Sequence, residues 1–235
     1  MNDIDILKSF FKGNELKEAL KKYENNVPAA YIIGEWEFCG DRYKLNESCL
    51  IPRCDTERVV EKLLENLKDN STFADLCTGS GCIAISTLKR KPKTKCIAVD
   101  ISENALSAAK ENALINGVSE QIKFLCADIF SNPLNDMKFD IIVSNPPYIS
   151  SEDMQKLDDY VKKEPSIALD GGYDGMDFYK HIIENCKNNL NEDGMFIFEI
   201  GYDQEEKIKI LAKEHGFECI VTKDYSGNPR VALLK

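Results

Sequence analysis

From residue 72 onward the chain alternates between short apolar runs and amphipathic stretches, and no other feature restricts its fold as strongly. Strands are predicted at 72–76, 95–100, 122–127, 139–144, 195–200, 217–222 and 230–234. Helices are predicted at 82–90, 103–116, 176–190 and 204–215. Such alternation builds a mainly parallel α/β sheet covered by helices on both faces. The turn cluster Tyr225-Ser226-Gly227-Asn228-Pro229 separates the last two strands and predicts an antiparallel pair at the end of the sheet.

Upstream, Ile4, Leu7, Phe10 and Phe11, then Leu16, Ala19, Leu20 and Tyr23, follow helical spacing on either side of Gly13 and predict two short helices. Val27-Pro28 marks a break. Trp36 and Phe38 alternate with charges before Gly40-Asp41, and Tyr43 and Leu45 do so after it, as in a hairpin with a two-residue turn. A helix follows Ile51-Pro52-Arg53, with Val59, Val60, Leu63, Leu64 and Leu67 as its apolar stripe. The expected organisation is a helical segment 1–26, a hairpin connector 27–54 and a main α/β domain 55–235.

Composition narrows the function classes. A chain of 235 residues can bury about 70% of its surface, enough for a core without staples. Hydrophobic residues at 43% and charged residues at 30% exclude disorder, collagen and small disulfide scaffolds. Forty acidic against thirty basic residues give a formal charge of -10, which repels bare nucleic acid at long range. The longest basic run, Lys89-Arg90-Lys91-Pro92-Lys93, reads as a solvated helix end. Nine cysteines without C-x-x-C spacing and two histidines, His181 and His215, predict neither a zinc site nor a disulfide framework. Both histidines lie in polar helical contexts and read as surface residues. The acidic start lacks a signal peptide, and no stretch reaches the ~18 apolar residues of a membrane span, so a reduced, cytoplasmic protein is expected.

Four motifs carry chemistry, each at the end of a predicted strand. Asp75-Leu76-Cys77-Thr78-Gly79-Ser80-Gly81 leads a strand into a helix through a turn of small residues. Its glycines let a ligand approach the main chain and fit the dinucleotide fingerprint, although a purely structural turn reads the same way. Asp100, followed by Ile101, lies 19 positions after Gly81, close to the ~20-residue spacing at which a carboxylate meets ribose hydroxyls. The competing reading of Asp100 is a helix cap. Asp128 could accept from an adenine amino group with Ile129 over the ring, or make an Asx-turn. Together these features suit an adenosine-type cofactor without separating a nicotinamide from a sulfonium.

Asn145-Pro146-Pro147-Tyr148 supplies that distinction. Two prolines stiffen the loop and lack N–H groups, leaving carbonyls free to accept. With the Asn145 side-chain oxygen and the Tyr148 ring, the loop suits a planar group bearing an NH₂.

The chain here resembles the protein-glutamine methyltransferases that modify peptide chain release factors. The resemblance rests on Ala30 through Glu35, Leu50 through Arg53 with Thr56-Glu57, Asp75 through Gly81, and Asn145 through Tyr148. It continues through Ala168 to Gly172 with Asp174-Gly175, Glu199 through Tyr202, and Gly227 through Val231, covering roughly residues 27–235. It implies a Rossmann-like class I fold with a seven-stranded, mostly parallel sheet. It implies methyl transfer from S-adenosyl-L-methionine to the glutamine side-chain amide of a Gly-Gly-Gln motif in class I release factors. Asp75, Cys77, Thr78, Gly79, Ser80, Gly81, Asp100, Ile101, Asp128, Ile129 and Asn145 would then hold the cofactor, while Asn145, Pro146, Pro147 and Tyr148 hold the substrate. The enzyme is expected to act as a monomer without a metal. Cys77 departs from the family's usual glycine, and the N-terminal helical region is shorter than usual. Arg53 and Glu199 stay open, as substrate contacts or as structural charges. The alternatives are methylation of an exocyclic amine on adenine or guanine in RNA or DNA, a nicotinamide-dependent dehydrogenase, and a silent binding module.

Overall fold

The structure is a computed structural model and describes residues 2–235. Two short helices, α1 (Asp3–Phe10) and α2 (Gly13–Glu24), precede a third, α3 (Ala29–Ile33), which begins directly after the predicted break at Pro28. Asn2 caps α1 by accepting from Asp5 N at 2.9 Å. Leu7, Ala19 and Ala29 form the small core shared by these helices.

Strands β1 (Glu35–Phe38) and β2 (Asp41–Lys44) form the expected hairpin, but its turn is Cys39-Gly40 rather than Gly40-Asp41. Both turn residues have positive φ, 51° and 75°, which matches the right-handed twist of the flanking strands. Phe38 and Tyr43 are buried against the larger core, and Tyr43 Oη shares a 2.6 Å hydrogen bond with Ser86 Oγ. Helix α4 (Glu57–Asn66) follows a 3₁₀ turn at Cys54–Thr56 and buries Val59, Val60 and Leu63.

The remaining chain runs β3 (Thr72–Leu76), α5 (Cys82–Arg90), β4 (Lys95–Asp100), α6 (Glu103–Ile115), β5 (Ile122–Cys126), β6 (Phe139–Ser144), α7 (Asp177–Cys186), β7 (Leu190–Glu199), α8 (Glu205–Glu214), β8 (Cys219–Lys223) and β9 (Pro229–Leu234). Seven strands form one sheet in the order β5-β4-β3-β6-β7-β9-β8. β9 runs antiparallel to both neighbours, and the other pairings are parallel. Alternate side chains serve opposite faces. Phe73, Ile141, Val143 and Ile197 join α4 and α5 in one core, while Ala74, Leu76, Ile142, Phe196 and Phe198 join α7 and α8 in the other.

β7 starts at Leu190, five positions before the predicted 195, and α7 ends at Cys186 instead of 190. The polar run Asn191-Glu192-Asp193 conceals the beginning of β7 because it lies exposed, and the β6–β7 register shifts beside it. No helix among the described residues is long and apolar enough to cross a membrane.

Candidate active site

The chain leaves β3 toward β4 and β5 on one side, then returns to β6 and β7 on the other. The carboxyl ends of β3 and β6 therefore flank the point where strand order reverses, the place where open α/β sheets bind ligands. Ser144 Oγ donates to Leu76 O at 2.6 Å and fastens these two strand ends together. A cavity of about 290 Å³ opens here.

The first wall is the loop between β3 and α5. Cys77, Gly79 and Gly81 all have positive φ, 60°, 55° and 78°. Glycine adopts this region freely, whereas the Cys77 side chain does so at a steric cost, which is the physical reason a glycine is at home there. Gly79 N donates to Asp100 Oδ2 at 2.8 Å, and Ser102 N donates to Asp100 Oδ1 at 2.9 Å. Asp100 thus braces the loop, and Ser102, not Asp100, caps α6 by accepting from Ala105 N. Each carboxylate oxygen keeps capacity for a further donor. Burial raises the Asp100 carboxyl above its usual range, opposed by the N–H groups of Ser102 and Gly79.

Asn112 on α6 ties the loop to the hairpin. It accepts from Lys44 N at 2.6 Å and donates to Lys44 O at 3.0 Å and Ser80 O at 2.9 Å. Beneath the loop, Asp75 is 0% exposed and accepts from Thr78 Oγ1 at 2.6 Å. Its burial pushes the carboxyl up to about 7, against the pull of the Thr78 hydroxyl and the Ala84 N–H at the start of α5.

Asp128 makes the Asx-turn, accepting from Phe130 N at 2.9 Å, and it also faces the cavity. Ile101, Ile129, Phe130 and Phe178 add apolar wall. His181 is half-buried rather than free on the surface, with Nε2 3.0 Å from Ile129 O and its ring 4.6 Å from that of Phe130. His215 is also half-buried.

Asn145 and Pro147 bring the next wall. Asn145 Nδ2 donates to Thr56 Oγ1 at 3.3 Å, and Asn145 Oδ1 is buried without a partner. The backbone of Tyr148 is gripped from two sides. A Cβ on Gly171 would stand 2.7 Å from Pro147 O, so only glycine lets the 169–176 segment lie this close. Gln204 Nε2 donates to both Tyr148 O and Gly175 O at 3.0 Å, while its Oε1 accepts from Gly201 N. Tyr148 Oη lies 3.5 Å from Glu199 Oε1. Burial, then the Glu199 charge, raises the Tyr148 phenol above its usual range.

Of the residues singled out in the sequence, Cys77, Thr78, Gly79, Ser80, Asp100, Ile101, Asp128, Ile129, Asn145 and Pro147 line this one cavity. Asp75, Gly81, Pro146 and the half-buried Tyr148 are not among the residues that line it. Arg53 lines it as well and pairs with the buried Glu164, which also accepts from Ile51 N at 3.0 Å. The motifs assign no role to Thr56, Phe130, Phe178 or Gln204, although Thr56-Glu57 helps carry the resemblance and Phe130 directly follows Asp128-Ile129.

Residues 56–172 match the family model described as methyltransferase small domain. The chain is 37% identical over 233 residues to the release factor glutamine methyltransferase of Aquifex aeolicus, covering 98% of this chain and 80% of that relative. It is 38% identical to the release factor glutamine methyltransferase of Thermodesulfovibrio yellowstonii, covering 95% and 82%. Among solved structures, ribosomal protein L11 methylase from Lactobacillus delbrueckii subsp. bulgaricus is similar at a TM-score of 0.57 and 27% identity, covering 78% of this chain and 79% of that one. With a Rossmann-like sheet, a ligand cavity at its switch point and this likeness along nearly the whole length, the chain belongs to the release factor glutamine methyltransferase family.

Proposed function

We propose that the protein methylates the side-chain amide nitrogen of glutamine in the Gly-Gly-Gln motif of class I peptide chain release factors, with S-adenosyl-L-methionine as methyl donor. The observation that carries this reading is Asn145 Oδ1. It is buried beside the cavity without a partner, while Thr56 accepts from the Nδ2 of the same amide. A buried acceptor kept unpaired costs stability unless a ligand supplies the donor.

The residues present suit the cofactor. Asp100 has acceptor capacity left for two ribose hydroxyls, the loop from Cys77 to Gly81 offers close main-chain approach, and Asp128 with Ile129 offers an acceptor and a cover for adenine. Asp75 supports the loop from below through Thr78. When bound, the cofactor supplies a methyl group activated by a sulfonium.

An amide nitrogen is a poor nucleophile because its lone pair is delocalised into the carbonyl. The protein's task is therefore to orient it. Asn145 Oδ1 and the Pro146 carbonyl accept the two amide hydrogens, Pro147 keeps the loop rigid, and the Tyr148 ring packs on the amide plane. Positive charge growing on the nitrogen strengthens both hydrogen bonds, which stabilises the transition state more than the ground state. The proton leaves to water afterwards, so no strong base is required.

We assign residues 55–235 to the catalytic domain, 27–54 to a connector and 1–26 to a helical appendage, in a cytoplasmic monomer. Methylation of an exocyclic amine in nucleic acid is disfavoured by the charge of -10. It is also disfavoured by the basic run, where Lys89 and Arg90 pair with Asp41 and Lys93 pairs with Asp69. A dehydrogenase would leave the Asn145 acceptor without a task. The test is transfer of a labelled methyl group to a purified class I release factor, beside the same factor with its Gly-Gly-Gln glutamine changed to alanine. Label on the first alone is expected; label on neither would overturn the proposal.

A further inference from the structure

Glu199 ends β7 with 1% of its surface exposed, and Oε2 has no formed hydrogen bond. Oε1 faces the Tyr148 hydroxyl at 3.5 Å. The Thr56 hydroxyl faces the same carboxyl and accepts from Asn145 Nδ2 at 3.3 Å. Residues far apart in sequence thus stand in one row, Glu199, Thr56 and Asn145, with Tyr148 as a side branch, and the partnerless Oε2 is the acceptor left for the Thr56 hydrogen.

The direction of this relay follows from counting donors. A carboxylate only accepts, a hydroxyl donates one hydrogen, and an amide offers an acceptor at one end and donors at the other. When Glu199 takes the Thr56 hydrogen, Thr56 has only lone pairs left for Asn145. Asn145 must then present Nδ2 to Thr56, which leaves Oδ1 free. We propose that Glu199 is a positioning residue for methyl transfer: as a carboxylate it polarises Thr56 and so keeps Asn145 Oδ1 turned toward the acceptor amide. This rests on the function proposed above.

The groups facing Glu199 are Arg230 from β9, Arg53 and Asp55 from the segment before α4, Tyr179 from α7, and Tyr148 from the loop after β6. Burial pushes its carboxyl up to about 7. The Thr56 hydroxyl, Arg230 and Arg53 oppose this, and Asp55 adds to it. Once protonated, Glu199 can donate to Thr56. Thr56 then donates to Asn145, the amide turns over, and Nδ2 replaces Oδ1 as the group facing the substrate.

The test compares wild type with Glu199→Gln, Thr56→Val and Thr56→Ser. Gln keeps the size but cannot ionise, so Thr56 no longer faces a carboxylate that can only accept. Glu199→Gln and Thr56→Val should each lower kcat by ~10–100-fold, the range typical when a group that orients a functional side chain is lost. Affinity for S-adenosylhomocysteine, read by calorimetry, should stay within about 2-fold, and Thr56→Ser should restore turnover. Wild-type kcat should fall as pH drops below about 7. Glu199→Gln should lose that acid limb and stay low throughout. A Glu199→Gln enzyme with wild-type kcat, or with the acid limb intact, overturns the relay while leaving the functional proposal standing. A wild-type enzyme that labels no release factor overturns both.

Discussion

Relative to the wild type, Asp75→Asn should gain about 3–4 kcal/mol of stability between pH 4 and pH 8. Asp75 is fully buried in β3, with Oδ2 held by Thr78 and Oδ1 unpartnered. Its carboxyl is pushed up to about 7 by burial, whereas an unfolded aspartate ionises near 3.9. A raised acid pKa means that the native state binds the extra proton between these values, so stability falls as pH rises through that window. The charged native form at pH 8 therefore carries a penalty of about 4 kcal/mol, which shrinks to below about 1 kcal/mol at pH 4. Asn keeps an acceptor for Thr78 and never ionises. Its Nδ2 meets no partner where Oδ1 stood, a cost of about 1–3 kcal/mol that does not vary with pH. The quantity to measure is thus the change in the variant-minus-wild-type difference between pH 4 and pH 8, by urea denaturation. Glu199 titrates equally in both proteins and cancels. A difference that does not change with pH, or that moves against the variant as pH rises, would refute the reasoning.

Asn145→Ala should lower methyl transfer to the release factor by at least ~100-fold with cofactor binding preserved, as when a transition-state hydrogen bond is lost; near-wild-type turnover would count against the acceptor role. Gly81→Ala should cost about 1–3 kcal/mol in urea melts. At φ 78° the added Cβ would stand 2.9 Å from Ile85 Cδ1 and 3.2 Å from Ala109 Cβ. Gln204→Leu leaves Tyr148 O, Gly175 O and Gly201 N without their partner, at about 1–3 kcal/mol for each group left unpaired, so a loss of at least about 3 kcal/mol is expected together with lower kcat. Faster hydrogen exchange across residues 148–176 would report the same loosening, and unchanged exchange would show that the bracket is dispensable.

How much of the molecule was legible depends on where its determining forces lie in the chain. The sheet was legible because strands such as β3 and β6 send alternate apolar residues into two cores, a local pattern. The start of β7 was not, because Leu190, which pairs with Phe139, is followed by the exposed polar stretch Asn191-Glu192-Asp193 and leaves no apolar run to read. The cavity's first wall was legible for the same local reason: the glycine turn and Asp100 announce themselves by spacing, and Gly79 N does meet Asp100 Oδ2. Spacing could not decide what Asp128 does, since an Asx-turn and a cavity carboxylate demand the same residue, and the structure has it doing the first while facing the second. Nor could spacing bring Thr56 to Asn145 or Gln204 to Tyr148, because those contacts exist only once α4, β6 and β7 lie side by side. The division is chemical as well as spatial. Residues that hold a ligand through the main chain sit in short motifs, because the backbone of one turn supplies the donors. Residues that decide which way one side-chain amide points must come from several strands, because an amide's two ends face different neighbours.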